Sequence, residues 1–105
     1  MKRNLKEIAD RMINELDVPE YNCFPSTWDG DDFWKISIEV MNAVDGKVYL
    51  IAQQDKRTGE HEFYTEVVHY GRHLSSDDRH GKTKNYPSMM HMITAFNKSY
   101  LQGGN

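Results

Sequence analysis

Between residues 33 and 70 apolar and polar side chains alternate in three runs, roughly Phe33 to Val40, Lys47 to Gln54 and Glu62 to Tyr70. Period-two alternation of this kind predicts β-strands, each with two unlike faces. In the first run Trp34, Ile36, Ile38 and Val40 fall on one side, and Phe33, Lys35, Ser37 and Glu39 on the other. The Trp34 row is the candidate core side.

Turn chemistry predicts how the runs pair. Val44-Asp45-Gly46 reads as a three-residue hairpin loop with Gly46 in the left-handed position, which would place Val40 opposite Leu50 and Ile38 opposite Ala52. A two-residue Asp45-Gly46 turn would instead bring Tyr49 and Ile51 to the core side. The longer loop is the better fit because it joins Val48, Leu50 and Ala52 to the Trp34 row. Asp55 to Gly59 reads as a second hairpin loop built on a type I turn. With Asp55 opposite Glu60, the third strand adds Phe63, Thr65 and Val67 to the core side, with His69 at its end.

Helical periodicity flanks these runs. Leu5, Ile8, Ala9, Met12, Ile13 and Leu16 form one apolar stripe, with Asn4 as cap, Glu7 three residues on and Pro19 just beyond the end. Met89, Met92, Ile93, Phe96 and Tyr100 form another, opened by Pro87 and Ser88, with Lys98 suited to the end and Gly103 as a stop. Met90 falls off that stripe with Thr94, Asn97 and Leu101, and is expected to be exposed. The two stripes need an apolar surface to cover. The expected fold is therefore α+β: a three-stranded antiparallel meander flanked by N- and C-terminal helices packed on one face, α-β-β-β-α.

Length keeps this to one domain spanning residues 1–105, which can bury roughly 60 to 68% of its unfolded surface. A lone cysteine, Cys23, excludes an internal disulfide, and no apolar run approaches the roughly 20 residues of a membrane span. Met1-Lys2-Arg3 followed directly by an amphipathic stretch does not read as a secretory signal. The expectation is a cytoplasmic protein with no membrane association.

The net charge of −3 conceals a segregation. Residues 18 to 32 carry Glu20, Asp29, Asp31 and Asp32 and no Lys or Arg, whereas residues 71 to 105 carry Arg72, Arg79, Lys82, Lys84 and Lys98 against Asp77 and Asp78. Cationic side chains just before a helix N-terminus can hold phosphates together with the unpaired amides there. Arg72, Arg79, Lys82 and Lys84 are thus the candidate nucleic-acid site. The α-β-β-β-α order is similar to that of double-stranded RNA-binding domains, whose last helix also begins with a basic cluster. Against nucleic acid stand the short first hairpin and the acidic net charge.

Other chemistry finds less support. The carboxylates of Asp29, Asp31 and Asp32 suggest a calcium loop, but the twelfth position from Asp29 is Val40, where a bidentate Glu is required. That segment reads as a turn leading into a strand, with Trp28 packing over a core edge. Among the five histidines, His69 and His73 could meet a carboxylate such as Glu66 or Asp77 if Gly71 bends the chain; a small hydrolase built on them is the most distant reading. Cys23, among Tyr21, Phe24 and Pro25, reads as a small buried hydrophobe. No cofactor or metal is expected, and no enzymatic activity.

What stands out is apolar surface beyond the needs of one core. If both helices cover the Trp34 row, the reverse face displays Tyr49, Ile51, Tyr64, Val68 and Tyr70 framed by Glu39, Glu62 and Glu66. Such a face suits a protein partner or a second copy, and its carboxylates repel phosphate. The alternative is that segments 18–32 or 71–86 fold back over it. The sequence-based expectation is a protein-binding module that occupies a partner surface. Inhibitors, immunity proteins and phage-type anti-defence factors such as anti-CRISPRs share this size and style, and partner contacts would fall on Tyr49, Ile51, Tyr64, Glu66, Val68 and Tyr70.

Overall fold

The computed structural model describes residues 4–43, 46–69 and 80–103. Seven main elements follow one another: α1 (Leu5–Glu15), β1 (Cys23–Asp29), β2 (Phe33–Ala43), β3 (Gly46–Asp55), β4 (His61–His69), β5 (His80–Tyr86) and α2 (Met89–Gly103). A single 3-10 turn, Glu20–Asn22, leads into β1. The strands form one antiparallel sheet in the order β1-β2-β3-β4-β5, each paired with its neighbour in sequence. The α+β class and the flanking helices are as expected, but the meander has five strands and not three.

Both added strands lie at sheet edges, where polar sequence is tolerated and even useful. β1 carries Pro25 opposite Ile38, and proline, lacking an amide hydrogen, is accepted at an edge. In β5, Gly81 and Lys82 together oppose Val67 between the pairs Glu66↔Thr83 and Val68↔His80. A bulge with lysines nearby discourages further strands from adding there. The α-β-β-β-α likeness to double-stranded RNA-binding domains does not survive the added strands.

The first hairpin departs from expectation by two residues. Val40 faces Val48, Ile38 faces Leu50 and Ile36 faces Ala52, while Ala43 faces Gly46. Met41 and Asn42 therefore share one partner position, Lys47, in a β-bulge. The extra residue lets the strands stay on the expected faces although Ala43 and Gly46 pair across a shorter connection; Val44 and Asp45 lie outside the described residues. The second hairpin matches expectation, with the Asp55 N–H donated to the Glu60 carbonyl at 2.9 Å and Leu50 facing Thr65.

Each helix starts as its sequence dictates. The Asn4 side-chain oxygen accepts the Glu7 N–H at 3.1 Å, and the Ser88 hydroxyl accepts the His91 N–H at 3.2 Å. α1 lies over β1 and β2, and α2 over β4 and β5. Between helices and sheet sits the core: Leu5, Ala9, Met12, Ile13 and Leu16 from α1, Met92, Ile93 and Phe96 from α2, and the Trp34 row with Leu50 and Ala52 from the sheet. Ile36, Ile38, Val40, Leu50 and Met92 are wholly buried, each such burial stabilising the fold by about 1.5 to 3 kcal/mol. Met90 is exposed, as expected.

Asn97 joins the two helices. Its side-chain oxygen accepts the Asp17 N–H at 2.9 Å, and its amide nitrogen donates to the Glu15 carbonyl at 3.0 Å. The carbonyl of Glu15, orphaned by the end of α1, thus finds a partner on α2.

Candidate partner-binding face

Both helices lie on the Trp34 side, so among the described residues the opposite side of the sheet carries no helix; residues 71–79 of the segment 71–86 lie outside the described residues. Register assigns its residues strand by strand: Phe24, Ser26 and Trp28 on β1, and Phe33, Lys35, Ser37 and Glu39 on β2. On the remaining strands come Tyr49, Ile51, Gln53 and Asp55, then Glu62, Tyr64 and Glu66, with Lys47, Val68, Thr83 and Asn85 on this side by backbone position. Residues 23–29 and 80–86 extend the sheet at its edges and do not fold back over this face.

Exposure sorts the apolar residues into three groups. Phe24, Trp28 and Phe33 are 52%, 59% and 40% exposed. Tyr49 and Tyr64 are half-buried. Ile51, expected as a contact residue, is only 4% exposed and is corrected to core. It sits on the middle strand, flanked by Ser37 and Tyr64 across the ladder and by Tyr49 and Gln53 along its own strand. Trp28 is a second correction: it does not pack over the core but stands on the helix-free side across Gly30, where an added Cβ would lie 2.8 Å from the indole nitrogen. Only glycine lets the ring lie there undisturbed.

Carboxylates surround the aromatic groups. Burial pushes the Tyr64 phenol above its ordinary range, and the charges of Glu66 and Glu62 push it further. Glu62 accepts a hydrogen bond from the Gln53 amide at 2.8 Å. At the turn end Asp55 accepts the N–H groups of Arg57 at 2.8 Å and Thr58 at 3.4 Å, bonds that hold its carboxyl below the usual range. Gly59 closes this turn at φ 81°, in the left-handed region.

Lys56 ties the two turns at this end together. Its N–H donates to the Asp32 carbonyl at 2.8 Å, and its ammonium reaches the Asp29 carboxylate at 2.5 Å and the Gly30 carbonyl at 2.6 Å. The acidic early segment is thereby anchored to the second hairpin, which positions Gly30 under Trp28. On the helix side of the same end, Trp34 donates its indole N–H to Gln54 at 2.8 Å and meets the His61 ring edge-on at 6.2 Å.

The other candidates are not gathered into a site. Tyr70, Arg72, His73, Asp77 and Arg79 lie outside the described residues, and Val68, His69 and Lys82 are placed by backbone alone. Residues 80–86 are strand, not a loop before a helix, so Lys82 and Lys84 belong to a sheet edge; Lys84 is exposed on the helix side, 5.7 Å from the centre of the Tyr86 ring. Among the described residues no three His, Cys, Asp or Glu side chains converge as metal ligands. Cys23 is buried, its thiol pushed up by that burial and then by Glu20, with its Sγ 3.7 Å from the Pro19 carbonyl. Among the described residues no helix is long and apolar enough to cross a membrane.

Sequence reasoning did not single out Phe24, Trp28 and Phe33 as the exposed aromatic side chains of this face. The signal was present: Phe24, Ser26 and Trp28 alternate with Cys23, Pro25 and Thr27. Pro25 interrupts the run, so it reads as a loop unless an edge strand is considered. No protein-family model, curated protein or solved structure matches the chain.

Proposed function

We propose that this protein is a binding module that occupies a surface of a protein partner through its helix-free sheet face, in the manner of an inhibitor, an immunity protein or a phage-type anti-defence factor. The observation carrying this reading is the row of exposed aromatic side chains, Phe24, Trp28 and Phe33, on the side of the sheet that neither helix covers. Large aromatic groups held on rigid strands give contact area at little entropic cost, and interfaces are enriched in them. Tyr49 and Tyr64 extend the surface inward, while Glu39, Glu62 and Glu66 supply a polar surround.

The test is site-specific photocrosslinking in extract of the source cells, with benzoylphenylalanine replacing Phe24 or Trp28 on the face and Met90 on the helix side as control. The expected result is one crosslinked protein species from Phe24 and Trp28 and none from Met90. Equal labelling from all three positions overturns the proposal. A crosslinked dimer of the chain replaces it with self-association, and nucleic acid that co-purifies and leaves at high salt redirects it to Arg72, Arg79, Lys82 and Lys84.

A further inference from the structure

We infer that the occupant of the helix-free face is a cationic protein segment that seats an arginine guanidinium beside Phe33, an inference that rests on the protein-binding reading above. At the turn end of the sheet Phe33, Gln53, Gln54, Asp55, Glu60 and Glu62 line a notch. Three of these six are carboxylates, none is Lys or Arg, and the phenyl ring of Phe33 is partly exposed. Phe33 stands directly opposite Asp55 in the ladder, so an aromatic ring and an anion adjoin one another.

The neighbouring cations leave the notch negative. Lys56 is engaged with Asp29 and Gly30. Arg57 approaches Asp55 only at 3.7 Å with a side chain 75% exposed, a pair that solvent weakens. The backbone N–H groups on Asp55 keep it anionic, and the amide of Gln53 fixes one oxygen of Glu62, leaving the other to accept. A guanidinium fits these features better than an ammonium: it is planar, stacks on a ring and presents a fork of donors to carboxylates.

Charge selects among occupants. Among the described residues at this end of the face, Asp55, Glu60 and Glu62 outnumber the single Lys35, which stands opposite Gln53. A second copy would meet this face with a surface of the same negative sign, and nucleic acid would bring phosphate to it. A basic protein segment is the complement, with Trp28 and Phe24 continuing the apolar contact along the neighbouring edge strand.

The experiment titrates the isotope-labelled full chain with an arginine-rich octapeptide and, in parallel, with the same peptide carrying citrulline for arginine, while side-chain amide resonances of Gln53 and Gln54 are followed by NMR. Those resonances are expected to shift with arginine and not with citrulline. The double variant Glu60→Gln/Glu62→Gln should weaken binding about tenfold. Glu7→Gln/Asp10→Asn, which removes the same charge from exposed positions on α1, should change it by no more than about twofold. Shifts spread over the acidic surface without focus on Gln53 and Gln54, or equal weakening by the two double variants, overturn the inference. If crosslinks from Phe24 and Trp28 persist undiminished in Glu60→Gln/Glu62→Gln, the arginine assignment fails alone; if they never form, the binding reading itself fails.

Discussion

Truncating Ile51 and Trp28 separately tests the division of one sheet face into core and contact surface. Ile51 is 4% exposed on the central strand, so Ile51→Ala removes its buried branches and leaves a hollow between Ser37 and Tyr64. Three lost carbons at about 0.8 kcal/mol each, with a modest cavity contribution because Tyr64 can relax, give about 3 kcal/mol. Trp28 is 59% exposed on an edge strand. A fully buried aromatic truncation costs about 3 to 5 kcal/mol, and scaling by the buried share gives about 1 to 2 kcal/mol for Trp28→Ala. Equilibrium urea unfolding followed by circular dichroism reads both losses, and a chain of this length should lose about 4 to 8 °C in Tm for each kcal/mol. Partner crosslinking should show the reverse order, with Trp28→Ala abolishing it and folded Ile51→Ala retaining it. A loss below about 1 kcal/mol for Ile51→Ala, or one no larger than that of Trp28→Ala, would refute the division.

Two further predictions concern stability. Asn97→Ala should cost about 1 to 2 kcal/mol in the same urea assay through loss of its two bonds to Glu15 and Asp17. Asn97→Asp should do no better, since a carboxylate facing the Glu15 carbonyl meets the negative end of α1. Asp55 has a folded-state pKa below its ordinary 3.8, so the stability it contributes is present above that value and is lost as pH falls through the folded pKa. Asp55→Asn cannot titrate and should flatten the acid limb of a Tm-against-pH curve below about pH 4; a limb as steep as that of the parent would remove Asp55 as a cause.

Much of the helix side was legible because the physics there is local and repetitive. The Asn4 cap follows from local sequence and forms as read, and the apolar stripes and the Trp34 row, which depend on spacing alone, supply the core. Even the two-residue error in the first register left the faces intact, because the bulge at Met41 and Asn42 preserves their parity. The edges were illegible for a different reason. His80–Tyr86 has no apolar alternation to betray it, and Cys23–Asp29 hides its alternation behind Pro25; each becomes a strand because β4 and β2 offer ladder partners. Ile51 was misjudged because alternation tells which face a residue occupies, not how fully its neighbours shield it.

The meander order bears on how the chain finds this structure. Since every strand pairs with the next one in sequence, the sheet can assemble by successive short loop closures, none of which waits for a distant segment. The Asn97 bridge is of another kind, reaching back 80 and 82 residues to the end of α1. It can form only after the intervening sheet has brought the helices side by side. In kinetic terms, Asn97 belongs to the late side of the folding barrier: its removal should accelerate unfolding and leave the folding rate nearly untouched.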